Sequence, residues 1–67
     1  MENMRIEFAP ALMTRELAAY YLSMSVRELD LLKNQGHLTA YGEGKRIKFK
    51  RSDLDEYIEA LPERHAR

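Results

Sequence analysis

Apolar residues recur with helical spacing in three stretches of the chain and alternate with polar ones, as in a strand, once between the second and third. Ala18, Tyr21 and Leu22 follow the i, i+3, i+4 spacing of a buried helical stripe, with Met13 just ahead of it. This predicts a first helix from Arg15 to Leu22, capped by Thr14; Leu17, three residues on, supplies no acid for a reciprocal capping box. Ser23-Met24-Ser25 is then a tight turn, with Met24 plugging the space between helices. Ser25 caps a second helix from Val26 to Gln35, whose core pair is Leu29 and Leu32. Gly36 stands where a left-handed C-terminal cap is wanted. Two short helices joined so tightly match the helix-turn-helix unit. A third helix is expected to begin between Lys50 and Ser52, with Asp53 and Asp55 favouring the positive end of its dipole. Leu54, Tyr57, Ile58 and Leu61 form its apolar stripe, and Pro62 stops it.

Between the second and third helices the period changes. Gly42-Glu43-Gly44 reads as a tight hairpin turn, pairing Thr39 to Tyr41 with Arg46 to Phe49. Successive strand side chains face opposite sides, so Arg46, Lys48 and Lys50 form a row of cations while Ile47 and Phe49 face inward. After a helix-turn-helix, such a hairpin is a wing. The predicted fold is therefore α+β, mostly α: a winged helix-turn-helix with two N-terminal helices, a two-stranded β-hairpin wing and a C-terminal helix. Residues 12–61 form the domain, 1–11 an N-terminal arm in which Ile6 and Phe8 can make a short extended contact, and 62–67 a polar tail.

Net charge is zero, with 11 cations and 11 acids, which by itself argues against a nucleic-acid binder. The distribution reverses that argument. Lys45, Arg46, Lys48, Lys50 and Arg51 come without an intervening acid; Asp53, Asp55, Glu56, Glu59 and Glu63 follow without an intervening cation. A local cation cluster is the footprint of phosphate binding. Edge protection of a strand is the plainer use of the same lysines.

A chain of 67 residues buries only about 60% of its unfolded surface. There is no cysteine, hence no disulfide and no thiolate metal site. No apolar run is long enough to span a membrane and no signal peptide is visible, so a cytoplasmic, DNA-associated location is expected. His37 and His65 lack companions at ligand spacing, and no nucleophile triad or phosphate-binding glycine loop is present. No cofactor, metal or small-molecule ligand is expected, and no enzymatic activity.

The ordered set Leu12-Met13-Thr14, Ala18-Ala19-x-Tyr21-Leu22, Met24-Ser25, Leu29, Leu32, Gly36, Leu38, the basic wing and Asp53-Leu54-x-x-Tyr57-Ile58 resembles the excisionase-type winged helix-turn-helix family, which is related to the DNA-binding domain of MerR regulators. The resemblance covers Leu12 to Leu61. It implies that the second helix enters the major groove and the wing an adjacent minor groove. It also implies an architectural protein that bends double-stranded DNA near an attachment site and biases a phage integrase toward excision. Small regulators of the AlpA type share the pattern, so a phage or prophage transcriptional regulator is the alternative. A protein-interaction domain that has lost DNA binding is a third reading. The chain shows no coiled coil after the third helix and no ligand domain, which speaks against a full MerR-type regulator. The second helix departs from the family in carrying only Arg27 and Lys33 as cations, with Asp30 and Leu31 where basic or polar residues are common.

The candidate DNA-binding residues are Thr14 and Arg15 at the start of the first helix, Ser25, Arg27, Glu28 and Asn34 on the second, and Lys45, Arg46 and Lys48 in the wing. For Thr14 the role of a helix cap is the plainer reading. Arg27 is placed to meet base edges or phosphate, Asn34 a phosphate on a similar face, and Glu28 cytosine N4. Asp30 and Glu28 are expected to repel phosphates; Lys33 is expected to bury its stem. Lys50 and Arg51 are placed to serve the junction with the third helix. Leu17, Tyr20 and Leu31 fall off the core stripes. Leu17 and Tyr20, at i and i+3, share a patch suited to another copy or a recombinase. The chain is read as monomeric in solution, with head-to-tail self-association on DNA, the acidic third helix of one copy facing the basic wing of the next.

Overall fold

The structure, a computed structural model, describes residues 10–64. The expected contact of Ile6 and Phe8 and the position of His65 lie outside the described residues. In chain order come β1 (Leu12–Met13), α1 (Arg15–Tyr21), α2 (Val26–Asn34), a 3-10 turn (Gly44–Arg46), β2 (Phe49–Lys50) and α3 (Arg51–Glu59). Three helices and a small antiparallel sheet bear out the expected fold class. No described helix is long and apolar enough to cross a membrane.

The helix ends follow from local chemistry. Thr14 Oγ1 accepts from the Leu17 N–H at 3.2 Å and starts α1. At α2 the cap is reciprocal. Ser25 Oγ accepts from the Glu28 N–H at 3.1 Å, and Glu28 Oε1 accepts from the Ser25 N–H at 2.8 Å. Both helices end in the same way. The His37 N–H reaches back to the Leu32 carbonyl (2.9 Å) and the Gly36 N–H to Lys33 (3.0 Å), with Gly36 at φ +86°. Likewise the Met24 N–H reaches Ala19 (2.9 Å) and the Ser23 N–H reaches Tyr20 (3.0 Å). This is the six-to-one closure of a Schellman motif, and it needs a left-handed residue. At the first closure that residue is Ser23, at φ +59°. A Cβ in this region costs about 1–2 kcal/mol, and glycine's larger unfolded-state entropy offsets part of the gain from removing it. Ser23→Gly is expected to stabilise the domain by about 0.5–1 kcal/mol and raise Tm by about 2–8 °C. A lower Tm in a calorimetric scan would show that the serine side chain contributes something the backbone geometry does not.

The core is Met13, Ala18, Ala19, Leu29, Leu38, Phe49 and Leu54, all buried. Tyr21, Leu22, Met24, Val26, Leu32, Ala40, Ile47 and Tyr57 pack around it. Met24, expected as a buried plug between helices, packs partly buried against this core, and Ala18 and Ala19 of α1 belong to the core itself. The α3 stripe is only half as expected. Leu54 is buried and Tyr57 partly so, but Ile58 is 40% and Leu61 52% exposed. The helix stops at Glu59, so Leu61 lies beyond it. Helical periodicity says which residues share a face; it does not say that something covers that face.

The sheet also departs in detail. The Phe49–Lys50 strand pairs with β1, in the register Leu12↔Lys50 and Met13↔Phe49. The Ala11 carbonyl accepts from the Arg51 N–H at 2.8 Å, satisfying one of the unpaired amides at the start of α3. The wing hairpin is closed by a single antiparallel bridge between Tyr41 and Lys48, made of two N–H to carbonyl bonds of 2.8 and 2.7 Å. Beyond it the loop is longer than a two-residue turn. Gly44–Arg46 forms the 3-10 turn, and the Arg46 N–H bonds the Glu43 carbonyl at 2.9 Å. Gly42 (φ +106°) makes this possible: a Cβ there would stand 2.8 Å from the Arg46 carbonyl oxygen. Arg46 therefore belongs to the turn and not to the strand. The expected alternation holds from Ile47 onward, with Phe49 buried and Lys50 exposed.

Candidate nucleic-acid interface

Three elements converge on one side of the domain. Thr14, Arg15 and Glu16 from the start of α1 line a cleft with Lys45, Arg46, Ile47 and Lys48 of the wing. An adjoining cleft is lined by Arg15, Asp30 and Lys33 together with Gly44, Lys45 and Ile47. Arg15 and Lys45 border both. Five of the expected residues, Thr14, Arg15, Lys45, Arg46 and Lys48, are thus brought together, and Lys33 joins them. Lys45 and Arg46 are exposed at the wing tip, and Lys48 is half-buried at its root. Ser25, Arg27, Glu28 and Asn34 line neither cleft. All four are exposed on the outer side of α2 and its cap.

The two acids expected to repel phosphates are both engaged. Glu28 closes the α2 capping box with Ser25. Asp30 is held by Arg15 across the α1–α2 contact, with Nε to Oδ1 at 3.2 Å and an Nη to Oδ2 at 2.5 Å. The planar fork of arginine matches a carboxylate in this way. Hydrogen bonding and charge attraction from the guanidinium hold the Asp30 carboxyl below the usual carboxylate range, and the same contacts raise Arg15. The pair fixes the position of Arg15 and cancels the charge that Asp30 would otherwise present to a polyanion. Two of the five guanidinium N–H donors are spent on Asp30, so others remain for a further acceptor. The Thr14 hydroxyl is occupied as a cap.

The wing root is tied to α3. The Tyr41 hydroxyl donates to Asp53 Oδ2 at 2.7 Å, and the Lys50 ammonium stands 4.3 Å from the centre of the Tyr41 ring. Lys50 thereby serves the junction, as its position in the sequence implies. On the other flank the Tyr21 hydroxyl donates to Asp55 Oδ1 at 2.5 Å, linking α1 to α3. Each carboxylate stabilises the neutral phenol as a hydrogen-bond donor and disfavours a second negative charge, so both tyrosines are raised above their ordinary value.

The Arg15–Asp30 pair was not visible in the sequence, because its partners are set by helix packing and not by spacing. The Ser25–Glu28 box was missed as well, although Ser-x-x-Glu is its sequence signature. Leu17 is exposed and Tyr20 is 81% exposed on the outer face of α1. Among the described residues no group of three His, Cys, Asp or Glu side chains is arranged to hold a metal ion.

Comparison with known proteins supports the fold. Residues 12–62 match the family described as helix-turn-helix domain, which spans β1, all three helices and the wing. No curated protein and no solved structure gave a match. Helix-turn-helix domains of this kind point to DNA as the partner and are typically non-enzymatic. With the match running over most of its length, the chain belongs to the helix-turn-helix domain family.

Proposed function

We propose that this protein is a sequence-specific, double-stranded DNA-binding architectural protein of the excisionase type, which bends attachment-site DNA and directs a phage integrase toward excision. The observation that carries the reading is the convergence of Arg15, Lys33, Lys45, Arg46 and Lys48 around clefts whose acids are only Glu16 and the already paired Asp30. Zero net charge is no obstacle when cations gather at one place and acids at another. In this reading α2 lies in the major groove and the wing tip in the neighbouring minor groove, where a narrow groove attracts arginine. Arg15, Lys45, Arg46 and Lys48 hold the backbone. Arg27 faces the bases, and Asn34 joins it on the same stripe in place of the phosphate contact expected of it, while Ser25 and Glu28 act by fixing where α2 begins. The exposed Leu17 and Tyr20 offer a surface for the integrase or for the next copy in a head-to-tail array on DNA.

The test is attachment-site DNA cut into circularly permuted fragments, together with an integrase-dependent excision assay. Mobility of the complex should vary with the position of the site, and excision should rise when the protein is added. Position-independent mobility with unchanged excision would rule out the architectural role. Integrase-independent repression of a reporter would then favour a small transcriptional regulator of the same fold.

A further inference from the structure

The outward face of α2 is formed by Arg27, Leu31 and Asn34, at i, i+4 and i+7, which places them on one stripe of the helix. All three are exposed, Leu31 to 55%. The carboxylates of the same helix have other work. Glu28 accepts from the Ser25 N–H at 2.8 Å, and Asp30 is gripped by Arg15. What the stripe presents is a guanidinium, an isobutyl group and a carboxamide. Seven residues of α-helix rise about 10.5 Å, close to three base-pair steps of about 3.4 Å.

Where such a stripe meets a groove, the leucine at its centre gains only from an apolar partner. It cannot hydrogen-bond, so against a polar base edge it would remove water and return nothing. The major groove offers one apolar group on its base edges, the C5-methyl of thymine. An apolar protein surface is a poorer match for this face. Arg27 and Asn34 flank Leu31 along the stripe, and Lys33 of the same helix faces the cationic cleft of the wing. Charge complementarity therefore favours a polyanion over a hydrophobic partner.

Building on the DNA-binding reading above, we propose that Leu31 is a specificity residue that packs on a thymine methyl group, between base contacts made by Arg27 and Asn34. It selects sequence through a methyl group that the phosphate contacts cannot sense.

The experiment begins with selection of bound duplexes from a random-sequence library by the intact protein. Each thymine of the selected site is then replaced in turn by deoxyuridine, which removes only the C5-methyl. Binding is measured at fixed salt. One thymine per bound copy should prove sensitive, with affinity falling about fourfold, the worth of one buried methyl group. Leu31→Ala keeps a good helix former at an exposed position, so it should fold like the parent by circular dichroism. It should bind the thymine and uracil duplexes equally, with an unchanged salt slope. No sensitive thymine, or a Leu31→Ala variant that keeps the parent's preference for thymine over uracil, would overturn the proposal. Salt-dependent binding without any selected sequence would overturn it too, while leaving DNA binding intact. Failure to bind any duplex would remove the DNA-binding reading itself. A Leu31→Ala variant that binds every duplex normally but no longer associates with integrase would put a protein on this face.

Discussion

Replacing Arg46 and Lys48 together by alanine is expected to weaken binding to every duplex by roughly a hundredfold, whatever its sequence. The figure follows from two charge-assisted hydrogen bonds to phosphate at about 1.5–3 kcal/mol each, taken at the low end because Arg46 is exposed and Lys48 only half-buried in the unbound protein. The slope of log affinity against log salt should flatten by about 1.8, or about 0.9 for each lost phosphate contact. The fold should survive. Arg46 is exposed on the 3-10 turn, and the bridge from Lys48 to Tyr41 is made by backbone atoms that alanine keeps. Titrations by fluorescence anisotropy at several salt concentrations give both numbers from one data set. An unchanged slope in the folded double variant would remove the wing from the interface.

Phe49→Ala is expected to unfold the domain. Phe49 is fully buried, and it is among the largest side chains of the core. Truncating a buried phenylalanine to alanine costs about 3–5 kcal/mol through lost burial and the cavity left behind. Stability of about 0.05–0.15 kcal/mol per residue gives a domain of this size only about 3–10 kcal/mol in all. Tm should fall by at least about 12 °C at about 4–8 °C per kcal/mol, and a parent at the lower end of that stability range loses its cooperative transition altogether at room temperature. DNA binding should go with it, because the residues on either side of Phe49 form the wing root and its junction with α3. A drop of less than about 5 °C in a thermal melt would mean that the core closes over the gap, and that Phe49 does not couple sheet to helices.

The parts of the fold that depend on neighbours in sequence were legible beforehand. Thr14, Ser25 and Gly36 act within a few residues of themselves, and α1 and α2 start and stop within a residue of where the sequence places them. The parts that depend on remote neighbours were not. A two-residue strand such as β1 has too short a pattern to register, and its partner lies more than thirty positions away. Asp30 read as a repelling charge because nothing local announces Arg15 beside it. Ile58 and Leu61 carry a correct helical period with no layer to receive them. The glycines marked a turn, but only the close approach of Gly42 to the Arg46 carbonyl shows that the turn extends through Arg46. Of the candidate site, the cations of the wing were plain from their clustering. Their meeting with Arg15 and Lys33 required the packing of α1 on α2.

The attachment of the wing gives it the mechanics of a cantilever. It is clamped at one end, where the Tyr41–Lys48 bridge, the Tyr41 hydroxyl on Asp53 and the Lys50 ammonium over the ring all act within a few residues of one another. Past that clamp, the outer loop is held by its own 3-10 turn, with the Arg46 N–H on the Glu43 carbonyl. A beam held in this way deflects most at its far end and hardly at all at its support. In the DNA-binding reading proposed above, the tip carrying Lys45 and Arg46 would follow a wider or narrower groove by bending, while the support stays fixed to α3. Differences in duplex shape between sites would then be absorbed at the tip instead of being passed on as a shift in reading register.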